Sequence, residues 1–435
     1  MTIVSSLLPF LQVFFLAMND PTSRSFVELV TGWIFSPGRS LADRIRAIGG
    51  DRHPAAYYRV LSTTSWSMDE VSRRLLALIL RWAPQEALFL VGDDTFFPHK
   101  GKKVYGAGMH RDAVLSKRGQ TLKRWGHSWV VLGVLIRSRH HPGRYFSLPV
   151  LVQLHLNHST AQKCRLVYRK KSALMIDMVR QVEQLLPGQK LHFIGDYGYT
   201  APALLSQFPS SVEVTGRARS DSRLYEPAPP HLGTRGRPRV RGDQLPSPTT
   251  LLEGRTERRE YEVAPGRRYR VRQASITGCF FQAPARQVKV VALEHLQGKR
   301  ENDVFYSTAT DASIEQVVRW YNQRWSIEVT FHDCKQHLGV GRERNRTSNA
   351  TRNTAAIGLL LYSLIVLWHE AEPPKTLEWV RNYPGKQHAS FADMIARLRR
   401  ESLQEYQQNH IRHSPNNSHW ILINQYLEKL LLLAA

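Results

Sequence analysis

The stretch YNQRWSIEVTFHDCK, residues 321–335, decides how the rest of the chain is read. It predicts a helix, and at about 100° per residue Tyr321, Arg324, Glu328 and Lys335 fall within roughly 60° of one another. The apolar positions Ile314, Val317, Val318 and Trp325 share that side, so Glu328 is expected to face the packed side of the helix. An unpaired buried carboxylate is costly unless it becomes neutral. Two compensations are open. One is an i,i+4 ion pair with Arg324, worth about 0.3–0.5 kcal/mol. The other is a cation shared with acids from elsewhere in the chain.

Two such acids stand upstream. EALFLVGDDT (86–95) and LHFIGDYGYT (191–200) each read as an apolar strand with an aspartate at its C-terminal end, Asp93 and Asp196. A strand end holds a carboxylate rigidly while letting it point out of the sheet. Either alone reads equally as a turn former. Together with Glu328 they make a hard oxygen donor set suited to Mg²⁺ or Mn²⁺, with room for two ions. Asp94 is the alternative to Asp93, and strand alternation sends the two to opposite faces.

Between and around these acids the pattern is α/β. Strands are expected at 127–137 and 145–156, a helix at 173–187, a short helix after the second aspartate and a strand at SVEVTGRAR (211–219). Three strands, helix, strand, helix, strand, the last at 211–219, predicts a mixed sheet with helical cover. Residues 217–280, rich in proline, glycine and arginine, read as an excursion from it. Further strands are expected before the Glu328 helix. Residues 20–90 read as helices, with a capping box from Ser67 to Glu70. They suit a small DNA-binding bundle or a structural brace. The last hundred residues also read as helical, ending in HWILINQYLEKLLLL (419–433). Domain boundaries follow at 1–85, 86–340 and 341–435.

The 435 residues carry 60 lysines and arginines against 36 acids, a formal charge of +24. That excess favours a polyanionic partner, nucleic acid before membrane. The apolar runs 7–18 and 357–368 are too short to span a bilayer, and the first lacks the marks of a signal peptide. Three scattered cysteines, Cys164, Cys279 and Cys334, make no disulfide framework and suit a reducing cytoplasm.

Tyr321, Arg324, Glu328 and Lys335 keep the spacings of a Y-(2)-R-(3)-E-(6)-K signature, and VGDDT and IGDYGY resemble the two aspartate motifs that accompany it. On these residues the sequence resembles the DDE transposases of bacterial insertion sequences over about 86–340. The resemblance implies an RNase H-like catalytic domain with a β-rich insertion, here at about 217–300. It implies that Asp93, Asp196 and Glu328 bind the metal, and its D-x-T pattern favours Asp93 over Asp94. Tyr321, Arg324 and Lys335 would hold phosphates near the scissile bond, arginine as a fork and lysine as a point charge. Trp325 would stack on a displaced base or pack in the core. The implied enzyme is a cut-and-paste transposase working as a dimer or larger assembly on double-stranded DNA. An RNase H-fold nuclease without strand transfer, or an inert DNA-binding descendant, are the rivals.

Other basic features fit a DNA partner. RGRPR (235–239), with Arg235, Arg237 and Arg239, resembles a short minor-groove hook, although phosphate contact suits it better. FPHKGKKVYG (97–106), with Lys100, Lys102 and Lys103, and SKRGQTLKRWGHSW (116–129) would track the backbone or serve as solvated loops. HDCKQH (332–337) offers three ligands for zinc with no visible fourth. No glycine-rich phosphate loop indicates ATP use.

Overall fold

Apolar runs with a period of two become strands and those with a helical period become helices. The computed structural model describes residues 3–36, 40–49, 52–63, 66–111, 115–116, 119–230, 238–253, 258–264, 267–296, 302–374 and 379–413. Helices α1 (Leu8–Phe15), α2 (Asp20–Phe35), α3 (Leu41–Ile48), α4 (Pro54–Ser62) and α5 (Met68–Trp82) come first. Strands β1 (Ala87–Pro98), β2 (Gly108–Arg111), β3 (Lys123–Arg137) and β4 (Tyr145–His155) follow. Then come α6 (His158–Lys163), α7 (Lys171–Leu185), β5 (Lys190–Gly195), α8 (Tyr197–Thr200) and β6 (Val212–Arg217). The later strands are β7 (Leu224–Tyr225), β8 (Gln244–Leu245), β9 (Arg258–Ala264), β10 (Arg267–Phe280), β11 (Ala283–His295) and β12 (Asp303–Ser307). Helices α9 (Ile314–Gln323), α10 (Trp325–His337), α11 (Ser348–Ala371) and α12 (Phe391–His413) close the described chain.

All these strands belong to one sheet. Its first part runs β4-β3-β1-β5-β6, with β3 antiparallel to both β4 and β1, and β1, β5 and β6 parallel. This is the RNase H-like arrangement expected from the sequence. Strand β3 is buried on both faces from Gly126 to Ile136, because helices cover both sides. Helix α7 packs against β3, β4 and β1, and α10 and α11 pack against β4. The β-rich insertion expected at about 217–300 extends this sheet through its described strands. Strands β12, β11 and β10 continue it beyond β6, with β7 and β9 both pairing β10.

The N-terminal helices share a hydrophobic core with the sheet and with α11. Trp33 of α2 donates its indole N–H to the Leu338 carbonyl at 2.7 Å, just after α10, and Arg44 stacks on Trp33 at 3.6 Å while pairing with Glu343 at 3.2 Å. These contacts tie the first helices to the end of α10. Ser67 caps α5 as expected, but Glu70 does not complete the box. Its carboxylate pairs with Arg73 at 2.7 Å and Arg74 at 2.5 Å instead.

The apolar run 357–368 lies within a longer helix than expected. Helix α11 has 24 residues, enough by length and composition to cross a membrane, but every residue from Thr354 to Glu370 is buried inside the fold. Its Ser363 hydroxyl donates to the Pro149 carbonyl of β4 at 2.8 Å. The terminal helix expected at 419–433 lies outside the described residues.

Candidate active site

Strand register sets the two aspartates side by side. Strand β1 pairs with β5 in parallel from Ala87↔Lys190 to Gly92↔Gly195, and there the pairing stops. The next residues are Asp93 and Asp196. Strand β1 does not end at its acids. It runs on to Pro98 against β3, with Asp93 opposite Val131. Chain β5 turns instead, and Asp196 becomes the N-cap of α8, accepting from the Tyr199 backbone N–H at 3.3 Å. The residue before Asp93 is Gly92 because α7 crosses close by: a Cβ there would lie 2.5 Å from Met175 Sδ.

Both carboxyls are poorly solvated. Burial pushes Asp93 up to about 7, with Arg324 opposing and the charges of Asp196 and Asp94 adding to the rise. Burial likewise raises Asp196, again opposed by Arg324 and reinforced by Asp94. Crowded, desolvated carboxylates favour a proton or a cation between them.

Arg324 is the nearest cation. Its Nη1 donates to Asp93 Oδ2 at 2.9 Å and its Nη2 to Glu328 Oε1 at 2.7 Å, so one guanidinium links the first aspartate to the glutamate. Burial works against its charge, yet Asp93, Tyr321 and Glu328 raise its pKa above the usual value. Both compensations considered for Glu328 therefore involve the same place. The i,i+4 pair exists, and it points at an aspartate.

Glu328 does not face the packed side. The expected single helix is two, joined at Arg324, where the N–H bonds Tyr321 three residues back at 3.2 Å. Helix α9 packs Val317 and Val318 against the extension of the sheet, while α10 packs Ile327, Thr330, Phe331 and Cys334 against β4, β1 and the C-terminal helices. The apolar residues of α9 therefore do not mark the inward side of α10. Glu328 sits at the margin of the packed face with its side chain 33% exposed. Trp325, expected on the apolar side, lies on the outer side of the helix and is 58% exposed, so the core-packing reading is incorrect.

Asp94 turns the other way. Its carboxylate accepts from Lys171 Nζ at 2.5 Å and from the Tyr199 hydroxyl at 2.7 Å. Sequence reading missed both partners, which lie 77 and 105 residues away. Tyr321 packs its ring on Phe305 at 4.6 Å beside Arg324, and burial raises its phenol. Lys335 lies over the Phe97 ring at 5.3 Å, where burial lowers its pKa. Tyr321 and Lys335 thus lie on either side of the Arg324–Glu328 pair along the two helices. Lys100, Lys102, Lys103 and Arg239 are exposed, the last beside Asp243 at 3.3 Å. Arg235 and Arg237 lie outside the described residues.

The donors match a hard divalent cation in chemistry: carboxylates short of counter-charge, with Thr95 Oγ1, two residues on along β1, buried and without a hydrogen-bond partner. Among the described residues, however, no three His, Cys, Asp or Glu side chains are grouped for metal binding. Arg324 stands between Asp93 and Glu328 where such grouping would occur. HDCKQH makes no site either: Cys334 is buried and His332 is exposed on the opposite side of α10.

A family model described as DDE superfamily endonuclease matches residues 13–276, more than half of the chain. The match includes Asp93 and Asp196 and stops before Glu328. No curated protein matches the chain.

Proposed function

The chain belongs to the DDE superfamily endonuclease family, and from that premise we propose that it is the transposase of a bacterial insertion sequence. Membership makes it a nuclease- or transposase-type enzyme acting on DNA. The finer reading is cut-and-paste transposition: hydrolysis of a phosphodiester at each element end, then joining of the freed 3′-hydroxyls to target DNA. The observation that carries it is the adjacency of Asp93 and Asp196 at the last β1–β5 pair, with Glu328 reached through Arg324.

Asp93, Asp196 and Glu328 would hold Mg²⁺ or Mn²⁺, two ions in this reading. Bound there, such ions supply Lewis-acid stabilisation of the charge that develops on the phosphate. The chain's own groups place the substrate. Arg324 offers a planar fork to phosphate oxygens in exchange for its carboxylates, and Lys335 adds a point charge about three turns further along α10. Tyr321, its ring packed on Phe305, would present its hydroxyl to the same strand. Trp325, exposed beside Arg324, presents a ring on which a displaced base stacks. Lys100, Lys102, Lys103 and the arginines of 235–239 contact the DNA backbone. Two ends must be joined, so a dimer or larger assembly on DNA is proposed, working in the bacterial cytoplasm on the nucleoid. The catalytic domain is taken as 86–340, flanked by helical regions.

The test uses DNA carrying the sequences that flank the gene, with Mn²⁺ and a plasmid target. Wild type is expected to nick at the ends and to yield joined product, and Asp196→Ala to do neither. Equal nicking by both proteins contradicts the site. Cleavage without joined product supports a nuclease instead.

A further inference from the structure

Past the Gly92↔Gly195 pair the ladder between β1 and β5 is gone, and β1 follows β3 while β5 bends into α8. Among the described residues no backbone hydrogen bond joins Asp93 to Asp196. The Tyr199 side chain spans the gap from behind. The backbone N–H of Tyr199 bonds Asp196 Oδ1 at 3.3 Å, and its hydroxyl bonds Asp94 Oδ1 at 2.7 Å, on the residue next to Asp93. Its ring is buried, so the phenol cannot swing to water. Lys171, at the start of α7, donates to the other oxygen of Asp94 at 2.5 Å.

We propose that Tyr199 is a positioning residue, a cross-brace that with Asp94 and Lys171 sets the spacing of Asp93 and Asp196 for divalent cation binding. Asp94 is thereby given a role on the reverse side of the strand, which explains a second acid in GDDT without making it a ligand. The inference rests on the metal assignment proposed above. Groups that orient ligands from behind typically account for about 10–100-fold in metal affinity.

The experiment is a calorimetric titration of the full-length protein with Mn²⁺ alone, repeated on Tyr199→Phe, Lys171→Met, Lys171→Arg and Asp196→Ala. Tyr199→Phe keeps the buried ring and loses only the hydroxyl. It is expected to weaken Mn²⁺ binding about tenfold, with the Mn²⁺ requirement for nicking shifted equally and the rate at saturating Mn²⁺ nearly retained. Lys171→Met, at a half-exposed position, is expected to shift binding in the same direction, and Lys171→Arg to restore most of it. Should Tyr199→Phe and Lys171→Met both bind within about twofold of wild type while Asp196→Ala does not bind, Tyr199 merely packs and the brace is wrong. Should Asp196→Ala bind Mn²⁺ normally, the metal assignment fails and takes the brace with it.

Discussion

Asp93 and Asp94 are consecutive in one strand, and the fold treats them oppositely. Asp94 faces α7 and has two protein partners of its own, a lysine and a tyrosine hydroxyl. Asp93 faces α10, is pushed up to about 7 by burial, and must share one guanidinium with Glu328. A carboxylate fully partnered by protein is part of the scaffold. One left short of counter-charge where the β1–β5 pairing stops, beside a second such acid, is where a cation or substrate has the most to contribute.

The sharpest way to break this contrast is to remove each acid in turn. Asp93→Ala is expected to cut the nicking rate by about 10³-fold or more, the order of several kcal/mol of charge stabilisation. Asp94→Ala is expected to cost about tenfold at limiting metal. Equal losses would erase the distinction between the two faces. Next in size is the contrast along α10. Ile327 is fully buried, so Ile327→Ala should destabilise by about 2–5 kcal/mol in denaturant unfolding. Trp325→Ala, at an exposed position, should change stability by about 0.5 kcal/mol or less while weakening DNA binding.

A pH series sharpens the same comparison. A proton on Asp93 competes with a divalent cation, and the carboxyl is raised, so protonation wins as pH falls through about 7. Mn²⁺ affinity should therefore drop by about tenfold from pH 8 to pH 6. An affinity flat over that range would mean that Asp93 is not the group titrating with the metal.

Much of this was legible in the sequence, and the failures have identifiable causes. VGDDT and IGDYGY are legible because apolar runs of strand length stop at acids, and parallel pairing of two such runs brings the acids that follow them together. The helix was legible as a helix, but the direction of Glu328 was not. The apolar residues of α9 and α10 serve different walls, and the turn at Arg324 that separates them leaves no mark in composition. The same error put Trp325 on the apolar side, where core packing was one of its two open readings. The extension of the sheet by β10 to β12 depends on pairing with β6 far back in sequence, which periodicity does not report. The partners of Asp94 were illegible for the same reason, since a lysine opening one helix and a tyrosine in a one-turn helix look ordinary until the chain is folded.

The most direct test is a crystal of the full-length protein soaked in Mn²⁺ and measured for anomalous scattering. The account predicts manganese between Asp93 and Asp196, with Arg324 turned away from Asp93, Glu328 drawn toward the ion and Asp94 still held by Lys171 and Tyr199. Manganese bound by Asp94, or none near Asp196, would contradict it.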